Sequence, residues 1–531
     1  MPTYYLSRET GGDQLHPFAL SRADGTVVGF WTNVGADGFF DVYGRGGWAD
    51  TTDVMIPDLT EGNQRVPTAT AFGDGGFAIA FESNGPSARD GTRDTLYDTY
   101  VTFADPSGDS RGPAVQLTPN GTGHHLVEGI TTLTSDESVT LVGRIASDTY
   151  TLLAYRHGSD GEAIGGVMRL AEVSGTTARD AGAPNPVIAS GRGGNFAVGW
   201  RETDSDGYVV RVRVFEADGT PVSDERTVVP VIAAGDGEIS REIMNPEMVG
   251  TAGGYALTWH RESAEAADGQ DVYFRLLDTD GAGETRSVRV NGDRQSGDQF
   301  VHDVVDLGEG HTLVTYIHTV EDAFGPRVDG YDLYGRVMGP DGRPADASFR
   351  ITEQTQSGLG AGNTIIDGFG DVASTYQATV NSQYDVFIAF RSLDLPWRAG
   401  DSGADRLRGT LVDDRLSGRS GDDRLYGSTG DDTLAGGRGD DRLVGQFGND
   451  RLRGGAGEDT FVFNGGRDVI EDFADGRERI ELDGLSRAEA RPFIIAREAR
   501  GDDTLVTFFD VHSIRIKDTD PDEIGLGDFL F

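Results

Sequence analysis

Apolar residues recur along this chain on two scales. In the first 395 residues a glycine-led apolar strand ending on an aromatic appears as GTVVGFW (Gly25–Trp31), GGFAIAF (Gly75–Phe81), GNFAVGW (Gly194–Trp200), GGYALTW (Gly253–Trp259) and GHTLVTY (Gly310–Tyr316). Weaker copies, SVTLVGR (Ser138–Arg144) and GDVASTY (Gly370–Tyr376), bring the total to seven. Each is followed by a second strand, from DVYGR at Asp41 to YDVFIAF at Tyr384. Several units then turn through Asp-Gly at Asp160, Asp218, Asp280 and Asp341, a pair suited to hairpins. A third strand such as SFRITEQ from Ser348, and a short one before the glycine such as NPEMVG from Asn245, make about four strands per unit. Seven four-stranded units predict an all-β fold in which residues 1–395 are a β-propeller, although a β-solenoid or a pair of sandwiches would use the same strands. The last unit lacks an outer strand, and TYYLSRE from Thr3 is similar to the missing SFRITEQ, so the N-terminus is expected to complete the seventh blade.

The second scale is nine residues. Leu407, Leu416, Leu425, Leu434, Leu443 and Leu452, then Phe461, stand nine apart, each with an aspartate two residues before it. No α-helix has that period. Read as G-G-x-G-x-D-x-L-x, each repeat turns its one large apolar residue inward and uses glycine where the backbone turns. Two repeats then make one coil of a parallel β-roll, with Asp423 and Asp441 stacked on one side and Asp414, Asp432 and Asp450 on the other. Their carboxylates, with the turn carbonyls at Gly421, Gly430, Gly436, Gly439, Gly445 and Gly448, form oxygen cages that suit Ca2+ rather than Zn2+. A solvated acidic tail has no reason to keep leucine and aspartate in phase.

Charge and composition narrow the partners. With 46 basic and 88 acidic residues the net charge is −42, which repels nucleic acid and anionic lipid and makes cations the natural counterpart. There is no cysteine, so no disulfide framework, and no apolar run long enough to span a membrane. The N-terminal MPTYYLSRETGGDQLHPF lacks the basic start and apolar core of a Sec signal, so an export address is expected elsewhere.

The stretch from about Gly403 to Phe463 resembles the RTX, or hemolysin-type, calcium-binding repeat. The resemblance implies Ca2+ between successive coils, with roles for Asp414, Asp423, Asp432, Asp441, Asp450 and Asp459; Ala404 and Val412 depart from the pattern in the first repeats. The segment GEDTFVFNGGRDVIEDFADGRERIELDGL, from Gly457 to Leu485, is similar to the C-terminal cap of RTX proteases. The ending GDFLF, from Gly527 to Phe531, is similar to the acid-plus-apolar terminus read by type I secretion systems. The implied divisions are a roll at 396–463 and a cap with secretion signal at 464–531, in a secreted protein, free or held at the cell surface. Without calcium the stacked aspartates repel, and one leucine per repeat does not offset ordering at ~1–2 kcal/mol per residue. Extracellular sites of this kind have Kd ~10⁻⁴–10⁻³ M, so the chain is expected to leave the cell unfolded and fold outside.

Catalytic chemistry is hard to find. The protease motif H-E-x-x-H is absent, and the His124-His125 pair falls in a glycine-rich loop, where it reads as exposed. G-x-S-x-G occurs at 108–112, but in a hairpin position rather than at a strand-to-helix elbow. Asp37, Asp204, Asp206, Asp268, Asp271, Asp329 and Asp332, before the second strands, read as turn chemistry. The propeller is therefore expected to be a binding or adhesion module for a glycan, a surface or a protein; the alternative is an extracellular, polysaccharide-directed hydrolase or lyase acting at the propeller axis. Acids, His or Arg clustered at the axis would mark an enzyme. The third unit, Thr118 to Gly175, is the least regular.

Overall fold

The computed structural model describes residues 3–5, 13–21, 27–34, 40–46, 54–55, 63–84, 97–106, 108–118, 124–134, 136–146, 149–174, 184–204, 207–229, 243–262, 269–293, 297–308, 310–321, 328–352, 362–366, 372–380, 383–391, 393, 397–400, 403–409, 413–482, 486, 489–491, 497–501, 503–508 and 512–531. Two compact units result: Met1–Ser21 with Val27–Ile365 and Ala373–Arg391, and Arg22–Thr26 with Ile366–Val372 and Ser392–Phe531. The fold is all-β, a seven-bladed propeller followed along the chain by a parallel β-solenoid of about four turns; helix among the described residues is confined to short turns.

Each blade is a four-stranded antiparallel sheet, such as Gln64–Ala71, Phe77–Ser83, Asp98–Ala104 and Val115–Gln116. The glycine-led strands stand second from the axis, and the strands before them line it. Thr3–Tyr5 pairs antiparallel with Gln383–Arg391, Thr3 opposite Ala389, so the N-terminal strand is the outer strand of the seventh blade. That pairing ties the ring shut with main-chain hydrogen bonds. Asn363 adds a clamp between the seventh and first blades, its amide donating to Ala19 O and accepting from Ala19 N, both at 2.7 Å. The third unit, irregular in sequence, folds as a regular blade from His124–Thr134 to Met168–Ser174.

The recurrent aromatics stack in pairs within the blades. Trp31 stacks on Tyr43, Phe81 on Tyr100, Trp259 on Tyr273, Tyr316 on Tyr334 and Tyr376 on Phe387, with ring centroids 5.4 to 6.3 Å apart. Each pair joins the second strand of a blade to the third, and apolar clusters such as Val28, Phe30, Phe77 and Ile79 fill the space to the next blade. The Asp-Gly turns carry Gly161, Gly219, Gly281 and Gly342 at φ between 75° and 87°, the left-handed region that favours glycine. The G-x-S-x-G segment occupies the matching turn of the second blade, where the exposed Ser110 Oγ donates to Gly112 O at 2.6 Å. It is a turn, not a nucleophile elbow.

In the solenoid, Arg415–Ser420, Thr433–Arg438 and Arg451–Ala456 stack in one parallel sheet, and Arg406–Arg408, Arg424–Thr429 and Arg442–Phe447 in another. The inward column from Leu407 to Leu452 and Phe461 is at most 2% exposed. Glycine is required where coils touch: Gly439, at φ 119°, would place a Cβ 2.1 Å from Gly421 O, and Gly448, at φ 145°, one 1.8 Å from Gly430 O. Phe463 against Phe508 and Phe461 against Phe473 close the C-terminal end.

The innermost propeller strands share a device that the alternation of side chains conceals. His16, Val66, Asn185 and Asn245 take φ of 50°, 53°, 40° and 43°, each immediately before a proline. The pairing register slips between Leu15 and Phe18, Arg65 and Thr68, and Met244 and Glu247, so each bulge re-aims the residue after the proline. Asparagine tolerates this conformation; a β-branched valine does not. Val66→Asn is therefore expected to stabilise the propeller by about 1 kcal/mol, read as a higher denaturation midpoint. An unchanged or lower midpoint would show that Val66 packing outweighs its backbone strain.

Candidate functional site

The aspartates before the inward leucines form two columns with an 18-residue step. In one, Asp405 N donates to Asp423 Oδ1, Asp423 N to Asp441 Oδ1 and Asp441 N to Asp459 Oδ1, at 2.7 to 2.9 Å. In the other, Asp414 N donates to Asp432 Oδ1, Asp432 N to Asp450 Oδ1 and Asp450 N to Asp468 Oδ1, at 2.8 to 3.1 Å. Each carboxylate thus spends one oxygen holding the preceding coil. The other, Oδ2, is buried without a hydrogen-bond partner among the described residues at Asp432, Asp441, Asp450 and Asp459.

Those oxygens face glycine backbone. A Cβ on Gly427, Gly436, Gly445 or Gly454 would lie 2.0 to 2.3 Å from the Oδ2 of Asp432, Asp441, Asp450 or Asp459. The carbonyls of Gly436 and Gly445 lie beside the same cradles, 2.7 and 2.6 Å from where Gly418 and Gly427 would carry a Cβ. Buried anionic oxygen beside carbonyl oxygen, with no nitrogen or sulfur donor in the cradle, fits a hard divalent cation. Burial pushes the carboxyls of Asp432 and Asp441 up to about 7, Asp450 to about 6 and Asp468 to about 8.

The roll therefore brings together Asp414, Asp423, Asp432, Asp441, Asp450 and Asp459 in two columns, with Gly436 and Gly445 beside carboxylates. Gly421, Gly430, Gly439 and Gly448 lie in the close-packed coil contacts. Asp468 extends one column, is 2% exposed, and was missed because it lies in the cap. Its signal was available, since Asp468 and Ile470 stand 18 residues after Asp450 and Leu452.

Other readings change. His124 and His125 open the innermost strand of the third blade, and His125, 1% exposed, lies 3.3 Å from Asp98 rather than in an exposed loop, because alternation along the strand turns it inward. Burial holds its imidazole below the ordinary value against the opposing pull of Asp98. Asp271 and Asp332 are within strands, paired at 2.6 Å with Arg289 and Arg350. Asp37, Asp206 and Asp268 lie outside the described residues.

A second concentration of acid lies on the propeller axis, in a cavity of about 280 Å³. Successive blades contribute Phe18, Thr68, Glu128, Val187, Glu247, Asp303 and Asn363, and no arginine or lysine lines it among the described residues. Burial raises Glu128 to about 8, with its carboxylate accepting from Tyr150 Oη, and raises Asp303 to about 7. Glu247 is pushed well above the usual carboxylate range, by burial first and by Asp303 second. His302 is held neutral, down at about 4, with Nε2 bonded to Thr375 O at 3.0 Å.

The model of the RTX calcium-binding nonapeptide repeat (4 copies) matches residues 399–434 and again 435–470. No match to this chain is found among curated proteins. Among solved structures, a Dyadobacter fermentans protein of unknown function is similar at 12% identity and TM-score 0.40, over 73% of this chain and 97% of its own. A Hadza microbial sialidase is similar at 9% and 0.42, over 74% and 68%, and an α-L-arabinofuranosidase of Fusarium graminearum at 12% and 0.38, over 64% and 98%. At these scores none of the three bears on what this propeller binds or does.

The raised carboxyls set a pH dependence for the metal-free roll. A folded-state value above the unfolded one means that folding takes up protons, so this stability is fully present below ~4 and is lost as pH rises through the folded values of about 6 to 8. In chelator, protease protection of residues 399–531 is expected to appear as pH falls from ~8 to ~5. Protection that is independent of pH would contradict the arrangement.

Proposed function

We propose a function that starts from what residues 399–470 are, RTX calcium-binding nonapeptide repeats. The protein works outside the cell, where its roll folds on calcium and its propeller acts as a binding module for a glycan, a surface or a partner protein. The observation that carries this reading is the row of buried, unpartnered Oδ2 atoms repeated along the roll. Asp414, Asp423, Asp432, Asp441, Asp450 and Asp459, with the glycine carbonyls beside them, would hold the ions. Bound calcium supplies positive charge between coils that are otherwise lined by carboxylate alone. The aspartates hold the register through Oδ1, and the leucine column excludes water.

Export by a type I apparatus fits the C-terminus. In the folded protein Phe529–Leu530 pairs with Arg479–Leu482, and Phe529 is 4% exposed. Leu530 and Phe531 are exposed, so folding of the roll withdraws only Phe529 of that apolar ending. Low cytosolic calcium keeps the roll unfolded, and millimolar calcium outside stabilises the folded state by mass action. Among the described residues no helix is long and apolar enough to cross a membrane.

A second reading, a polysaccharide hydrolase or lyase, is favoured by the axial acids, because Glu128 at about 8 stays protonated at neutral pH as a general acid must. Release of reducing ends or unsaturated products, lost in Glu128→Gln, would select it; glycan retention without product supports the binding module.

Full-length protein titrated with calcium is expected to gain protease resistance in residues 399–531 and far-UV β-signal with a midpoint at ~10⁻⁴–10⁻³ M, reversed by EDTA. Asp423→Asn combined with Asp441→Asn should raise the midpoint roughly tenfold or more, because it removes two ligand charges. Complete protection in EDTA, or none at about 10 mM calcium, well above that range, would end the calcium-folding reading.

A further inference from the structure

The propeller axis holds acid with no cation to balance it among the described residues. Glu247 and Asp303 come from neighbouring blades, the fifth and the sixth, and both side chains are part-buried and line the axial cavity. Asp303 is fixed in place: Oδ2 accepts from Thr364 N at 2.6 Å and Oδ1 from Val304 N at 2.7 Å. The Glu247 carboxylate has no hydrogen-bond partner among the described residues, and the charged group that acts on it there is Asp303. Glu128, the third acid, is engaged by Tyr150 and is not available in the same way. His302 is tied by Thr315 Oγ1 at 3.1 Å and Thr375 O at 3.0 Å, so it offers no positive charge.

The backbone is built to present Glu247 there. Asn245 at φ 43° and Pro246 form the bulge that turns Glu247 to the axis, and the same bulge presents Phe18 and Thr68 from the first and second blades. The device is structural and repeats; the acid is local and does not. Two carboxylates lining one cavity with no basic side chain beside them among the described residues repel each other unless one takes up a proton or the pair a cation.

We propose that the propeller axis is a second calcium site, separate from the roll, in which the carboxylates of Glu247 and Asp303 hold one Ca2+ ion. The carboxylate pair offers oxygen only, which selects a hard cation. The size of the cavity, about 280 Å³, falls below the ~300–1,000 Å³ of organic-ligand pockets, yet leaves room for an ion and several waters at ~30 Å³ each. The site depends neither on the roll's ions nor on whether the propeller binds or cleaves its ligand.

Calcium bound per chain is measured by equilibrium dialysis of full-length wild type, Glu247→Gln, Asp303→Asn, and Asp423→Asn combined with Asp441→Asn. Each axial variant is expected to lose one equivalent while the calcium-induced protection of the roll stays unchanged; the roll variant is expected to keep the axial equivalent. Unchanged stoichiometry in Glu247→Gln overturns the proposal. So does a Glu247→Gln propeller whose melting temperature rises equally in calcium and in EDTA, since the acid was then merely an uncompensated burden. If the variants do not fold, manganese-soaked crystals of the wild type decide: an anomalous peak between Glu247 and Asp303 supports the site, and peaks confined to the roll overturn it.

Discussion

The roll depends on how each repeat aspartate divides its two oxygens. At Asp432, Asp441, Asp450 and Asp459, Oδ1 accepts the backbone N–H of the aspartate one coil earlier, which fixes the 18-residue step, and Oδ2 is left buried against glycine backbone. The first bond sets the geometry and the second oxygen sets the electrostatics. A coil can close only if the carboxylate is desolvated, and a desolvated carboxylate must be neutralised. On the proposed reading, folding of this segment is coupled to neutralising those carboxylates, by a cation or by protons, because each repeat contributes a single inward leucine and little other apolar burial.

The propeller is built the other way round. Its stability comes from stacked aromatics and from the apolar clusters between blades, and its ends are joined by a terminal strand and the Asn363 clamp. Among the described residues of the propeller, the non-glycine residues with left-handed backbone are four before prolines in or beside the inner strands. The framework is repetitive, while the side chains it delivers to the axis differ from blade to blade. Clustered acids at the axis, set in blades that are otherwise alike, are the asymmetry expected of a functional centre.

Periodicity made much of the molecule legible in the chain. A nine-residue step in leucine and aspartate admits few backbones, so the roll, its inward column and its stacked acids could be read directly; Asp468 escaped only because the cap breaks the leucine pattern around it. The blades were legible because most repeat a glycine-led strand ending on an aromatic that must be buried, and the N-terminal closing strand because TYYLSRE resembles the outer strand that the seventh blade lacks. His124 and His125 were misread, since the glycines before them suggested a loop while strand alternation buries His125.

The sequence by itself determined the all-β class, the two repeat architectures and the identity of the acidic columns, because these depend on local spacing that every repeat restates. Only the tertiary structure decided which oxygens remain unpartnered and which acids meet on the axis. Glu128, Glu247 and Asp303 are separated by 119 and 56 residues along the chain and carry no shared motif. Ring closure and a one-residue slip of register bring them into one cavity, and neither can be read from spacing, because a bulge changes where a side chain points without changing the pattern in which it is written.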